Sequence, residues 1–256
     1  MSEEEKERIL QTAQLYLDKF AEIAKAYYAA EDISRGAYLN VNVTLNSAPI
    51  FDAAWPSGKI SYAFDGFPKE YKATMCSCMD EWEEGSNHMI KFSEAKSFNW
   101  WRNLWWNLGV LRVVKISKKN LKGASGQASP GYSLRPYLYI DKDYLKGDDY
   151  MLQTFRHELG HVIGLQHEFD RNDRSNYIEV ADNHEWSDFS VPGIGRLFVS
   201  PIGSYDYNSV MNYYGFYHIK NSDGTRGAKI GLYDILEISE GDKKSVQYLY
   251  TYWRHW

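Results

Sequence analysis

The stretch HELGHVIGLQHEFDR, residues 157 to 171, decides the fold. His157 and His161 stand four apart, so on a helix their rings leave one face and can grip one metal ion, with Glu158 beside them. Gly164 can adopt the positive-φ conformation that ends a helix. The chain then turns back and offers His167 as a third nitrogen ligand. Three histidines leave a position open for water, the arrangement of catalytic rather than structural zinc. With 7 histidines in the chain, H-E-x-x-H arises by chance in roughly one shuffled chain in a hundred, and Gly164 with His167 lowers that to about a few in a hundred thousand. A solvated helix face carrying unrelated histidines is therefore the poorer reading. One catalytic zinc ion is expected.

Upstream, the helix carrying this motif should begin near Asp148 or Asp149, either of which can cap its free N–H groups. Ahead of it, Lys59 to Phe64, residues 88 to 92, residues 110 to 117 and Pro136 to Asp141 read as strands, and Pro68 to Glu84 as a helix. The segment 120 to 131 is loop-rich. The run FNWWRNLWWNLG, with Trp100, Trp101, Trp105 and Trp106, reads as a hairpin packing both faces, with a sticky patch for membrane or glycan as the alternative. Arg112, Lys115, Lys118, Lys119 and Lys122 read as a solvated strand edge and loop, the alternative being a cleft wall that attracts acidic substrate residues. Downstream of residue 165 turn residues multiply, and little regular structure is expected until Ser239-Glu240-Gly241-Asp242, a capping-box-like start for a last helix.

Residues 3 to 31 repeat apolar positions at helical spacing, and Leu39 to Leu45 alternate like a strand. A boundary near residue 50 divides this helical and extended segment, 1–50, from a catalytic domain spanning 51–256. The chain has 256 residues, 44% of them hydrophobic, 25% charged and 16% aromatic, with a net charge of −5. That composition suits a folded protein and supplies no overall basic field for nucleic acid. No apolar run reaches the roughly 20 residues needed to span a bilayer, and the acidic start MSEEEKERIL is unlike a secretory signal. Export with the signal elsewhere or removed is expected, with an intracellular location as the alternative. Cys76 and Cys78 are too close along regular structure to bridge, and are read as ordinary thiols. His88, His184, His218 and His255 lack ligand spacing and read as surface or satisfied polar residues.

The spacing H-E-x-x-H-x-x-G-x-x-H resembles the signature of the metzincin metalloproteases, whose second element is a methionine-containing turn. Ser209-Val210-Met211-Asn212-Tyr213 is similar to that turn. Within the metzincins, Glu168, the Arg171-Asn172-Asp173-Arg174 stretch and Tyr213 resemble the astacin family. Trp55 to Tyr62 (WPSGKISY) is similar to the start of a mature astacin domain, and EISEGDKKSVQYLY to its closing helix.

The resemblance implies an α+β fold: an N-terminal lobe of twisted mixed sheet and helices, a mostly irregular C-terminal lobe ending in a helix, and a cleft between them. It implies a zinc endopeptidase that binds a protein or peptide substrate extended in that cleft, acting as a monomer. Glu158 would be the general base, and Tyr213 a labile extra ligand that donates to the oxyanion. Met211 would floor the metal, and Glu168 would meet the N-terminal amine of the mature chain. An edge strand above the zinc would pair with substrate, its equivalent lying around Gly123 to Gly131. Residues 1–50 are expected to be a latency segment, with an integral structural extension as the alternative because the family's zinc-capping Phe-x-Gly-Asp motif is missing. The family's four bridging cysteines are also missing, Asn212 stands where many members have His, and Ser175 where many have Asp. Two alternatives differ in class or branch: a catalytically silent, zinc-stabilised binding domain, and a protease of another metzincin branch.

Overall fold

The computed structural model of the chain describes residues 54–171, 173–180, 204–212, 217–229 and 235–252. The segment 1–50, Asn172, His184, Tyr213, Tyr214 and His255 lie outside the described residues.

Five strands form the first sheet, in the order β2-β1-β3-β5-β4. β1 (Lys59–Phe64) runs parallel to β2 (Lys91–Glu94) and β3 (Val114–Lys119), and β3 runs parallel to β5 (Tyr137–Asp141). The edge strand β4 (Gly126–Ala128) alone is antiparallel. Alternation sends Ile60, Tyr62, Phe64, Val114, Ile116, Leu138 and Ile140 into one core. There they meet Met75, Cys78, Met79 and Trp82 of α1 (Lys72–Gly85), whose three- and four-residue spacing makes one helical stripe. Each such side chain taken fully from water contributes roughly 1.5–3 kcal/mol before the entropy of ordering it.

Two strands start later than the sequence pattern suggests. Asn87 and His88 have positive φ, so the chain is still turning where a strand was expected from residue 88, and β2 begins only at Lys91. β3 likewise begins at Val114 rather than 110.

The tryptophan-rich run is not a hairpin. It forms α2 (Trp100–Asn107), capped by the Asn99 side chain, which accepts from Arg102 N at 2.9 Å. Only Trp106 of this helix is buried. Its indole N–H donates to the Pro136 carbonyl at 3.0 Å, and its ring meets Phe98 edge-on. A hairpin would need alternation on both faces; this run instead repeats large apolar groups at helical spacing with asparagines between them.

The histidine-bearing helix α3 (Asp149–Ile163) is capped as expected, with the Asp148 carboxylate accepting from Met151 N at 2.9 Å. It packs Met151, Phe155 and Leu159 into the core against α1. Downstream, the expectation of little regular structure fails in part. β6 (Ile178–Val180), β7 (Tyr217–Lys220) and β8 (Arg226–Lys229) make a small antiparallel sheet. Strands of three and four residues carry too short a pattern to read. Phe169, Ile178, Tyr205 and Ile235 form a second, smaller core on this side.

The last helix, α4 (Glu240–Tyr252), starts at the expected capping box. Asp242 N donates to Ser239 Oγ at 2.9 Å, and Ser239 N returns a bond to the Asp242 carboxylate at 3.1 Å. Val246, Leu249 and Tyr250 bring this helix back to the main core. The Tyr250 hydroxyl donates to Ile163 O at 2.8 Å and accepts from Trp55 N at 3.3 Å, while the Trp55 indole donates to Val162 O at 2.8 Å. The beginning and end of the described chain are thus fastened to the C-terminal turn of α3.

Candidate active site

His157 and His161 leave α3 one turn apart, and the helix stops at Gly164, whose φ of 122° is closed to other residues. Leu165 N donates to Gly160 O at 2.9 Å, folding the chain back so that His167 faces the same point. The three histidines offer ligand atoms within 4.8 Å of one another. His161 Nε2 and His167 Nε2 approach to 3.0 Å.

The second nitrogen of each ring is engaged elsewhere. His157 Nδ1 meets the Val210 carbonyl at 2.8 Å, His161 Nδ1 the Leu165 carbonyl at 2.9 Å, and His167 Nδ1 the Asp170 carboxylate at 3.2 Å. These partners accept, so each Nδ1 carries the proton and each Nε2 keeps a lone pair. Burial, reinforced by His167, pulls the His157 pKa down to about 3 and holds His161 well below its ordinary value. Both are neutral at neutral pH, as a metal ligand must be. Three converging imidazole lone pairs fit zinc, which is bound by nitrogen donors in small numbers.

Glu158 is buried, and burial pushes its carboxyl up to about 8. Among the described residues, its Oε2 has no hydrogen-bond partner. Edge strand β4 crosses directly over it. A Cβ on Gly126 would lie 2.5 Å from Glu158 Cγ and 2.6 Å from Oε1, so only glycine leaves room for the carboxylate. This strand falls in the segment expected to lie above the zinc.

The methionine turn is held from two sides. Met211 is buried against Gly160, where any side chain would strike its sulfur. Met211 O accepts from Glu168 N at 3.2 Å. Opposite, the Asp242 carboxylate accepts from Ser209 Oγ at 2.6 Å and Val210 N at 2.8 Å. Asn212 is fully buried, accepting from the Tyr205 hydroxyl at 3.1 Å and donating to Asp206 O at 2.8 Å. Tyr213 follows directly but lies outside the described residues.

Glu168 is not an ordinary surface residue. Burial raises its carboxyl to about 7. It accepts from Arg171 Nη1 at 3.1 Å and Asp206 N at 2.8 Å, so the cation beside it is a guanidinium from its own loop. Phe169 stacks on His167, with ring centroids 4.7 Å apart. The roles of Asp170, Asp242, Gly126 and Gly160 at the site were not legible in the sequence. Only Asp170, three residues past His167, stood where a local search for a ring partner would find it.

The family model of Astacin, a peptidase family, matches residues 144–250, a span running from the histidine helix through the methionine turn into the closing helix. Over that span the chain is similar to the astacin family. Among the proteins it is similar to, the zinc metalloproteinase nas-14 of Caenorhabditis elegans is 26% identical over 218 residues, 80% of this chain and 39% of that protein. Nematocyst expressed protein 6 of Nematostella vectensis is 28% identical over 206 residues, 77% of this chain and 64% of that protein. The chain thus spans less than two thirds of either relative.

Two solved structures share the fold. High choriolytic enzyme 1, a hatching enzyme zinc-protease from Oryzias latipes, superposes with a TM-score of 0.51 at 18% identity, covering 84% of this chain and 98% of that one. Myroilysin gives 0.53 at 17% identity, covering 77% and 95%. The expected α+β architecture, with a mixed sheet and a closing C-terminal helix, is the one observed. Both cysteines are free: Cys78 in the core, where burial raises its thiol to about 12, and Cys76 beside the Tyr62 hydroxyl at 3.5 Å.

Proposed function

We propose that this chain is an astacin-like, zinc-dependent endopeptidase that hydrolyses peptide bonds with Glu158 as general base. The observation that carries the reading is the set of three converging imidazoles, each with a partner on Nδ1, next to a buried carboxyl whose Oε2 has no hydrogen-bond partner among the described residues. His157, His161 and His167 would hold the ion. Bound there, zinc supplies Lewis acidity, which lowers the pKa of water to about 7 and polarises a carbonyl.

Glu158 takes a proton from the attacking water and delivers it to the leaving amine, so no covalent intermediate is required. The outer edge of β4 pairs with an extended substrate backbone across the base. Gly126, lacking a side chain, lets that backbone and the carboxylate share one place. Met211 packs beneath the histidines, and Gly164 returns His167 to them. Tyr213, on resemblance, donates to the oxyanion. A zinc-stabilised binding domain without activity has no use for a buried glutamate beside the ligands, and the Astacin match speaks against another metzincin branch.

Residues 1–50 are proposed to be a latency segment, and the amine freed by cutting it to reach Glu168. The Trp55-Pro56 block, similar to a mature astacin start, supports this placement of the cut.

Cleavage of an unbiased peptide library, with and without chelator, tests the activity. The purified protein should carry about one zinc per chain, and Glu158→Ala should keep it while losing at least about a hundredfold in hydrolysis. His161→Ala should lose metal and activity together. Full activity in Glu158→Ala would overturn the proposal.

A further inference from the structure

Among the described residues, the large hydrophobic side chains that remain exposed all lie between Trp100 and Leu134. Trp100 is 68% exposed, Trp101 58% and Trp105 47%, with Leu108, Val110 and Leu134 above 60%. They form one patch. Trp100 and Trp101 meet edge to face with ring centroids 4.4 Å apart, and Val110 N donates to Trp105 O at 3.0 Å, folding the following turn onto the end of α2. A Cβ on Gly109 would meet the Leu134 side chain at 3.5 Å. Trp106 secures the helix to the sheet, and no packing in the described fold uses the other three tryptophans' exposed faces.

The surrounding charge is one-sided. Residues 95 to 140 contain eight lysines and arginines and no aspartate or glutamate, in a chain whose net charge is −5. Lys96 and Arg135 are exposed, and Arg102 donates to Lys96 O at 2.6 Å. Among the described residues, none of these three pairs with a carboxylate.

We propose that this face is a docking surface for an anionic lipid membrane. Tryptophan is the side chain that settles at the boundary between headgroups and acyl chains, its ring apolar and its N–H polar. Leu108, Val110 and Leu134 extend the apolar area beside it, as in a helix lying in the plane of an interface. Lysine and arginine around the rim add attraction to acidic headgroups. A second copy of the chain is the poorer occupant, because a self-complementary contact would set Lys96, Arg102 and Arg135 against their own copies. A nucleic acid would use the rings for stacking but leaves exposed leucine and valine without a role.

The test is cosedimentation of the full chain with phosphatidylcholine vesicles, with and without phosphatidylserine, alongside tryptophan emission and solution mass. Two triple variants are compared: Trp100→Ser with Trp101→Ser and Trp105→Ser, and Lys96→Glu with Arg102→Glu and Arg135→Glu. The expected result is binding to the phosphatidylserine vesicles with a blue-shifted emission. Each variant should lower that binding at least tenfold while leaving hydrolysis of a short soluble peptide unchanged. The charge variant keeps the test meaningful should the tryptophan variant misfold. Failure to bind anionic vesicles, equal binding by a folded variant, self-association removed by the tryptophan substitutions, or tryptophan-independent capture by heparin or nucleic acid would each overturn the proposal.

Discussion

Asp242 and His157 lie 85 positions apart (242 − 157) and are joined through one residue: the Asp242 carboxylate accepts from Val210 N at 2.8 Å, and Val210 O accepts from His157 Nδ1 at 2.8 Å. The first turn of α4 therefore orients a candidate zinc ligand. Burial raises the Asp242 carboxyl, opposed by hydrogen bonds from Ser209, Val210 and Ser239 that favour its charge. For Asp242→Ala we expect a loss of about 1–3 kcal/mol in stability and about 10- to 100-fold in zinc affinity, the scale for removing a group behind a ligand. Chelator competition and urea unfolding measure the two. Unchanged values in both would break the link.

Gly126→Ala should lower turnover at least about tenfold with zinc and fold retained, because the new methyl displaces the Glu158 carboxylate that it would otherwise overlap. The backbone there has ordinary φ, so strain does not confuse the result. In a Glu158→Ala background the same substitution should cost little more. Additive losses in the double variant would mean that Gly126 acts on something else.

Tyr213→Phe should reduce turnover by about ten- to a thousandfold with the metal kept, the scale of one lost oxyanion donor. Steady-state kinetics beside Tyr214→Phe decides the register: if only the second variant is impaired, the neighbouring tyrosine is the donor.

Cys78 makes the fold sensitive to base. Burial, followed by the charge of Glu81, raises its thiol from 9.0 to about 12 in the folded chain. A raised folded value contributes stability that is fully present below the unfolded pKa, and is lost as pH rises from about 9 towards 12. The slope approaches about 1.4 kcal/mol per pH unit. Urea unfolding at pH 8 and at pH 10 should show the wild type losing more stability than Cys78→Ala, which has no thiol to ionise. Parallel losses in the two proteins would refute the assignment.

Truncation separates the latency segment from the fold. A chain starting at residue 54 keeps Trp55, which is 3% exposed and bonded to Val162 and Tyr250, and should remain folded and become more active. A chain starting at residue 59 loses that anchor and should be about 3–5 kcal/mol less stable. Thermal unfolding and peptide hydrolysis of both report the result. If the chain starting at residue 54 is unfolded, or no more active than the full chain, the latency proposal falls.

Much of this architecture was legible because its signals are local. Asp148 caps α3, Ser239 and Asp242 cap α4, and the spacing of His157, His161, Gly164 and His167 encloses one turn and one reversal. The tryptophan run was misread because size and aromaticity suit strands as well as helices, and the deciding residue was Asn99, a cap at the head of the run. β6 was missed because a strand this short takes its stability from pairing with β7 about 40 residues on, which periodicity does not record, and β7 and β8, though close in sequence, are too short to show alternation. Gly126 over Glu158 was invisible for a similar reason. A glycine in a loop-rich segment looks like any turn residue until the group above which it must pass is known.

The bond between Trp55 and Tyr250 spans 195 positions, and this closure has a kinetic consequence. A chain emerging from the ribosome can build α1 and the parallel strands early, but the turn at the end of α3 lacks its clasp until α4 has been synthesised. Contacts of such long range slow folding, and they leave the histidine helix and its apolar surroundings open meanwhile to proteases and to aggregation. Nascent chains arrested before residue 240 should therefore be protease-sensitive throughout α3, and resistance should arrive in one step once the last helix is free.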